Sequence, residues 1–171
     1  MLFFHGVLTV FLIGIFFYDL TRYIIPNWMS GVVIALWPAM LFMTNDWQGE
    51  LVIWQSLLVA AVVFIVGIGI FIMRWAGGGD VKLMAALALW TGTAATLEFV
   101  VYTGLLGGLL VFACLLLRPL AGRLVPAEKA DKLPRVLRHK EPVPYGIAIT
   151  LAFLALLWTG SVPGLPVPFW E

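Results

Sequence analysis

Charge is what this sequence has least of. Of its 171 residues 11% are Asp, Glu, Lys or Arg and 63% are hydrophobic. Soluble domains hold about a quarter charged and about half apolar residues, so the scarcity excludes a soluble globular domain and implies an integral membrane protein. Cysteine is nearly absent. Cys114 alone rules out a disulfide framework within the chain and any CxxC zinc pair. The two histidines, His5 and His139, lie far apart and are expected on opposite membrane faces, so no metal site and no cofactor is expected. No Lys or Arg precedes the first apolar run, residues 2–18, where a secretory signal carries its positive segment. That run is read as a permanent first span.

What is present is apolar sequence in span-sized pieces. A span needs roughly 20 apolar residues. Six candidates fall at about 2–18, 28–44, 51–73, 81–96, 97–117 and 145–160. Thr91-Gly92-Thr93 and Glu98 mark the division between the fourth and fifth. With six spans all ten basic residues share one face: Arg22, then Arg74 and Lys82, then the group from Arg118 to Lys140. The other face holds Asp46, Glu50, Glu98 and Glu171. The positive-inside rule makes the basic face cytoplasmic and places both termini outside. The expected fold is all-α and polytopic, about six transmembrane helices in a single domain over 1–171, with a basic cytoplasmic loop at about 118–144. Prolines 119, 126, 134 and 142 argue against a long helix in that loop. Short pieces at 127–133 and 135–140 are expected to lie on the anionic inner leaflet. The proline-rich tail, 161–171, reads as an outer interfacial cap.

This topology brings two acids to one membrane depth. Asp19 ends the first span and Asp80 opens the fourth. A carboxylate near hydrocarbon is expensive and marks a functional site by default. Asp80 follows Gly77-Gly78-Gly79 and reads equally as a helix N-cap. Asp19 has no such explanation, because the C-terminal end of a helix disfavours negative charge. Pairing with Arg22 is the plain account, and an exposed pair of that kind contributes only about 0–1 kcal/mol. Two carboxylates within a few ångström hold one proton between them and can act as acid and base toward a peptide bond. Two acids are few for a metal, and few polar residues surround them to hold a sugar. The three glycines read either as a tight start to a helix or as room for a substrate backbone. Pro144-Tyr145-Gly146 opens the sixth span on the same face.

These motifs resemble those of the type IV prepilin peptidase family, aspartic proteases with a G-x-G-D signature. Gly77-Gly78-Gly79-Asp80-Val81-Lys82-Leu83 is similar to the extended form G-x-G-D-x-K-L. Asp19, followed by Arg22 and by Ile25-Pro26-Asn27, resembles the first catalytic aspartate and its I-P-N turn. Val143-Pro144-Tyr145-Gly146 resembles a third, proline–aromatic–glycine motif, although Ile147 stands where many members carry Pro. The resemblance implies an endopeptidase of the bacterial inner membrane. Such enzymes remove the basic leader of pilin-like precursors on the cytoplasmic side, cutting after a glycine. It implies Asp19 and Asp80 as the catalytic pair. It implies substrate contacts at Gly77, Gly78, Gly79, Pro144, Tyr145 and Gly146.

Larger members carry two CxxC pairs and methylate the new terminus. This chain has one cysteine, so it looks like the short branch of tight-adherence (Flp) pilus systems, and no methyltransferase activity is expected. The expected partners are a prepilin or pseudopilin precursor with a hydrophobic N-terminal helix and a bilayer with an anionic inner leaflet, not a nucleic acid. The residues alone leave two other readings open: a proton-coupled transporter or channel, and a non-catalytic membrane subunit of a pilus or secretion assembly.

Overall fold

The computed structural model describes residues 2–44, 49–124, 135–138 and 142–165. Among them the regular structure is entirely helical, as expected from the composition. Five α-helices follow in order: α1 (Leu2–Arg22), α2 (Asn27–Thr44), α3 (Gly49–Ile72), α4 (Gly78–Leu124) and α5 (Gly146–Thr159), with a short 3-10 turn at Arg135–Leu137 before the last. Three of them, α1, α3 and α4, contain stretches long and apolar enough to cross a membrane. Their outward faces are apolar too. Phe3, Val10 and Phe17 on α1 and Leu58, Ile65 and Ile72 on α3 are exposed, a pattern that suits hydrocarbon and not water.

The 47-residue α4 is broken at Gly92, whose φ of 53° and ψ of −156° are not helical. Residues 78–91 and 93–124 form two limbs. Asp80 and Met84 of the first limb line one cavity with Val100 and Gly104 of the second. A straight helix would set Asp80 and Gly104 roughly 36 Å apart at 1.5 Å per residue, so the chain turns back at Gly92. The reversal falls within the expected Thr91–Thr93 turn. Thr91 Oγ1 and Thr96 Oγ1 are 2.6 Å apart across it, and the Thr96 hydroxyl donates to the Gly92 carbonyl. These bonds serve backbone and hydroxyl groups that the break would otherwise leave unpaired.

Other boundaries differ from expectation in two places. α1 continues past Tyr18 to Arg22, because helix geometry outlasts the apolar run; the Thr21 hydroxyl bonds back to the Phe17 and Tyr18 carbonyls. The second limb of α4 runs through Pro119 to Leu124, where a loop was expected from Arg118. A proline removes one backbone bond and bends a helix without necessarily ending it. Arg118 then ties this limb to the chain that follows, donating from Nε to the Val136 carbonyl (2.9 Å) and from its guanidinium to the Pro142 carbonyl (3.3 Å). Of the pieces expected on the leaflet, 135–137 is the 3-10 turn; 127–133, like His139, Asp46 and the end of the tail, lies outside the described residues.

The core lies where α5 packs against α1 and α4. α5 is apolar nearly all round, with nine of its 14 residues buried and Leu151 and Trp158 exposed, as suits a helix packed in an apolar bundle. Phe153 meets Phe99 of α4 edge to face, centroids 5.7 Å apart. Trp90 donates its indole N–H to the Val33 carbonyl of α2 at 3.0 Å, which pins the first limb to α2. On α1 the buried stripe runs Phe4, Leu8, Leu12, Ile15 and then Asp19. The face that packs the core therefore ends in a carboxylate.

The dihedrals of Gly92 belong to a region that only glycine occupies cheaply. Gly92→Ala is expected to cost about 1–3 kcal/mol, seen as a lower thermal midpoint in detergent. Gly69→Ala, in a helix with open space around it, is expected to leave the midpoint unchanged or raise it, since alanine is the better helix former.

Candidate active site

Asp19 is 3% exposed, and its Oδ2 has no hydrogen-bond partner among the described residues. Arg22 is exposed one turn on and does not pair with it. The compensation for a negative charge at the end of α1 comes from a different helix. The first backbone N–H groups of α5, those of Gly146 and Ile147, face the Asp19 carboxylate. α5 starts at Tyr145 with no side-chain cap of its own. The Ile147 N–H also closes on the Pro144 carbonyl at 3.4 Å; the positive dipole end of the helix suits an anion. Gly146 is what allows this approach: a Cβ there would stand 2.8 Å from Asp19 Oδ2 and 2.6 Å from Ile25 Cδ1.

Asp80 does not occupy the N-cap position. Gly77 does, its carbonyl accepting from the Val81 N–H at 3.2 Å. Asp80 is the third residue of the first turn, and its Oδ2 accepts from the Gly77 N–H at 3.2 Å. This is the back-reaching half of a capping box, with aspartate in the glutamate role. The glycines are used by the chain itself. A Cβ on Gly77 would meet Asp80 Oδ2 at 2.9 Å, and one on Gly79 would stand 2.9 Å from the Ile25 carbonyl oxygen. Gly78 is under less constraint, with the Phe71 ring 3.5 Å away.

The structure thus brings all the singled-out residues to one end of the bundle. Asp19, Asp80, Gly77–Gly79, Pro144 and Tyr145 line a single open cavity of about 650 Å³. The two carboxylates are near enough to repel each other. The turn at Ile25-Pro26-Asn27 is wedged between their supports: Ile25 touches the positions of both Gly79 and Gly146, and Asn27 Oδ1 accepts from Lys82 Nζ at 2.8 Å. The lysine of the glycine–aspartate motif is therefore bonded to the asparagine of the turn motif. Arg74 lines the same cavity, and Arg118 holds Pro142 at its rim.

Three features of this site carry no signal in the motifs. Tyr23 (φ 61°) and Arg74 (φ 62°) end α1 and α3 in the left-handed conformation that glycine usually takes. The Tyr23 N–H closes on the Asp19 carbonyl at 2.9 Å, and the Trp75 N–H closes on Ile70 at 3.1 Å. Both residues line the cavity. The one hint in the sequence is that no glycine directly follows either apolar run. The third is Gly107, on the second limb of α4. A Cβ there would collide with the Tyr145 ring, so the ring lies against bare helix backbone, where it feels the Asp80 charge. Among the described residues no group of three or more His, Cys, Asp or Glu could hold a metal.

Gly79→Ala and Gly146→Ala push against backbone and a buried carboxylate, and each is expected to cost about 1–3 kcal/mol. Gly78→Ala is expected to leave the thermal midpoint within error of wild type. Arg74→Gly relieves a left-handed non-glycine residue worth roughly 1–2 kcal/mol and is expected to raise the midpoint. One detergent melting series checks all four.

Among known proteins, no curated protein and no solved structure matches this chain. A family model does match, that of the type IV leader peptidase family, over residues 6–112. The matched stretch includes Asp19, the 25–27 turn, the three glycines and Asp80, and stops before Pro144. It covers more than half of the chain, and the chain belongs to the type IV leader peptidase family.

Proposed function

We propose that this protein is an aspartic endopeptidase of the bacterial inner membrane that removes the leader of type IV pilin-like precursors. The observation that carries the reading is the convergence of Asp19 and Asp80 on one cavity, in a chain whose family is that of leader peptidases. The two acids hold one proton between them, since ionising both at short range is costly. The ionised member takes a proton from water as the water oxygen attacks the scissile carbonyl carbon. The protonated member gives its proton to the carbonyl oxygen. The tetrahedral diol then collapses: the carbon–nitrogen bond breaks, one hydroxyl proton returns to a carboxylate, and the leaving amine takes the other acid's proton. Base and acid are then restored, and one water has been consumed, its oxygen now in the new carboxyl group. The pair titrates as a unit, so the base is assigned to the pair and not to either carboxylate.

Asp19 and Asp80 are the catalytic residues on this reading. The backbone of Gly77–Gly79 and the Pro144-Tyr145-Gly146 turn form the walls along which an extended substrate lies. Counting the limbs of α4 separately gives six spans. We take the face with Arg74, Lys82 and Arg118 as cytoplasmic, by the positive-inside rule. The site then meets the precursor where its leader ends and its hydrophobic helix begins, with cleavage after a glycine. An Flp-type precursor, held by its inserted helix and by the anionic leaflet, fits an enzyme whose own face is basic. No methyltransferase step is assigned.

Cleavage of a small pilin precursor by the purified protein, followed by gel shift, tests the chemistry. Asp19→Asn and Asp80→Asn are each expected to lower the rate at least 10²–10⁴-fold, the usual contribution of a positioned acid or base, with the thermal midpoint retained. Wild-type cleavage by either variant would sink the two-carboxylate mechanism.

A further inference from the structure

A cavity of about 260 Å³ lies at the far end of the bundle from the two aspartates, where α4 reverses. Trp37 and Met40 of α2, Ser56 of α3, and Thr93 and Ala94 of the second limb of α4 line it. The first limb sets its depth. Residues 78–91 reach roughly 21 Å at 1.5 Å per residue, whereas the hydrocarbon core of a bilayer is about 30 Å thick. Measured from the Asp80 end, the chain turns back short of the opposite membrane surface. Irregular backbone at such a depth persists only where protein buries it or a polar cavity receives it.

The reversal leaves donors without acceptors. Gly92 stands at the N-cap position of the second limb, and glycine has no side chain to receive the N–H groups of the first turn. The flanking hydroxyls are turned elsewhere: Thr91 donates to the Ala88 carbonyl at 3.2 Å, and Thr96 donates to the Gly92 carbonyl. A group on another helix faces the same space. Ser56 is 6% exposed, lines the cavity and makes no hydrogen bond to a described residue. Its Oγ lies 3.1 Å from where a Cβ on Gly92 would stand. The exposed Gln55 amide adds a donor at the mouth. Among the described residues no charged side chain lines the cavity.

We propose that this cavity binds the phosphodiester headgroup of a phospholipid in the leaflet opposite the aspartates. Backbone N–H, hydroxyl and amide groups converge on it and all can donate, which suits an anion at a helix start. Its volume is below the roughly 300–1,000 Å³ usual for drug-sized ligands, so the occupant is a small group. A phosphodiester is the anion that every phospholipid holds at the edge of the hydrocarbon, and its two unesterified oxygens accept from these donors. Trp37 and Met40 give the apolar wall against which the glycerol rests, and tryptophan suits headgroup depth. Glu98 follows Ala94 by one turn on the same helix face. It disfavours a free dianion and suits a headgroup that carries its own ammonium, as phosphatidylethanolamine does. The site is independent of the peptidase reading, since it lies at the other end of the bundle from the carboxylates.

The test follows the thermal midpoint of the full-length, delipidated protein in detergent as one of three probes is titrated in: dioctanoyl phosphatidylethanolamine, dioctanoylglycerol or inorganic phosphate. A ligand of the folded state raises the midpoint in a saturable way. Phosphatidylethanolamine is expected to do so for wild type, and the other two at the same concentrations are not. Ser56→Ala is expected to weaken the apparent affinity about tenfold, the worth of a hydrogen bond to a charged group. Ala94→Asp supplies the helix start with an anion of its own; it is expected to raise the lipid-free midpoint and to abolish the response. Should that variant fail to fold, Thr93→Asp in the same turn makes the comparison. Ser30→Ala removes a hydroxyl that is also buried and unpartnered among the described residues but lies outside the cavity, and is expected to respond as wild type does. An equal response to dioctanoylglycerol, or no response to any probe, overturns the site, and a cavity that holds only water gives the second result. An equal response to inorganic phosphate overturns the lipid as occupant. Unchanged affinity in Ser56→Ala together with a retained response in the aspartate variant also overturns the proposal, as does a loss in Ser30→Ala.

Discussion

Everything at this site depends on how closely three helix ends approach the turn at Ile25. That turn joins α1 to α2. The backbone oxygen of Ile25 fills the space where a side chain on Gly79 would stand, and its Cδ1 fills the space beside Gly146. The first contact brings the start of α4, with Asp80, against the end of α1. The second brings the start of α5 against Asp19. Protein interiors are packed densely enough that a single added methyl group is felt, so two glycines set the separation of two acids. The Lys82–Asn27 bond closes the same junction from outside.

This arrangement resolves the electrostatic problem that Asp19 presents. A buried carboxylate at the C-terminal end of its own helix faces the wrong end of a dipole. The chain places the N-terminal end of another helix, α5, opposite that carboxylate. Burial of Asp19 is thereby tolerated, and among the described residues its Oδ2 has no hydrogen-bond partner. A carboxylate held this way, beside a second one, suits the proton-transfer role proposed for it. The strained backbone at Tyr23 and Arg74 fits the same picture, since left-handed non-glycine residues concentrate at functional sites.

Much of this was legible in the sequence, for definite reasons. The all-helical class follows from apolar runs of span length. The reversal at Gly92 was visible as a Thr-Gly-Thr break in an otherwise apolar stretch, because only glycine adopts the conformation needed there. The meeting of Asp19 and Asp80 followed from charge sidedness, which fixes the end of the bundle each residue occupies. What stayed hidden depends on contacts between distant segments. Asp80 looked like an N-cap, and its actual place two residues beyond the helix start depends on Gly77 taking the cap. The triple glycine read either as a tight start to a helix or as room for a substrate backbone, and nothing local shows that Ile25, Phe71 and Asp80 stand where side chains on the three would go while their backbone lines the cavity. No periodicity marks Gly107 as the seat of the Tyr145 ring, and nothing local assigns the α5 N-terminus to Asp19.

The central claim is that Asp19 and Asp80 work as one unit carrying one proton. The pH dependence of kcat/KM for leader removal by the wild-type protein tests it most directly. A pair that must hold one proton is inactive when both acids are protonated and again when both are ionised. The account therefore predicts a rate that rises with pH, passes through an optimum and falls, with a limb on each side governed by the pair. A rate that rises through one ionisation and then stays level to high pH, with the protein still folded, would mean a single carboxylate does the chemistry and would contradict the account.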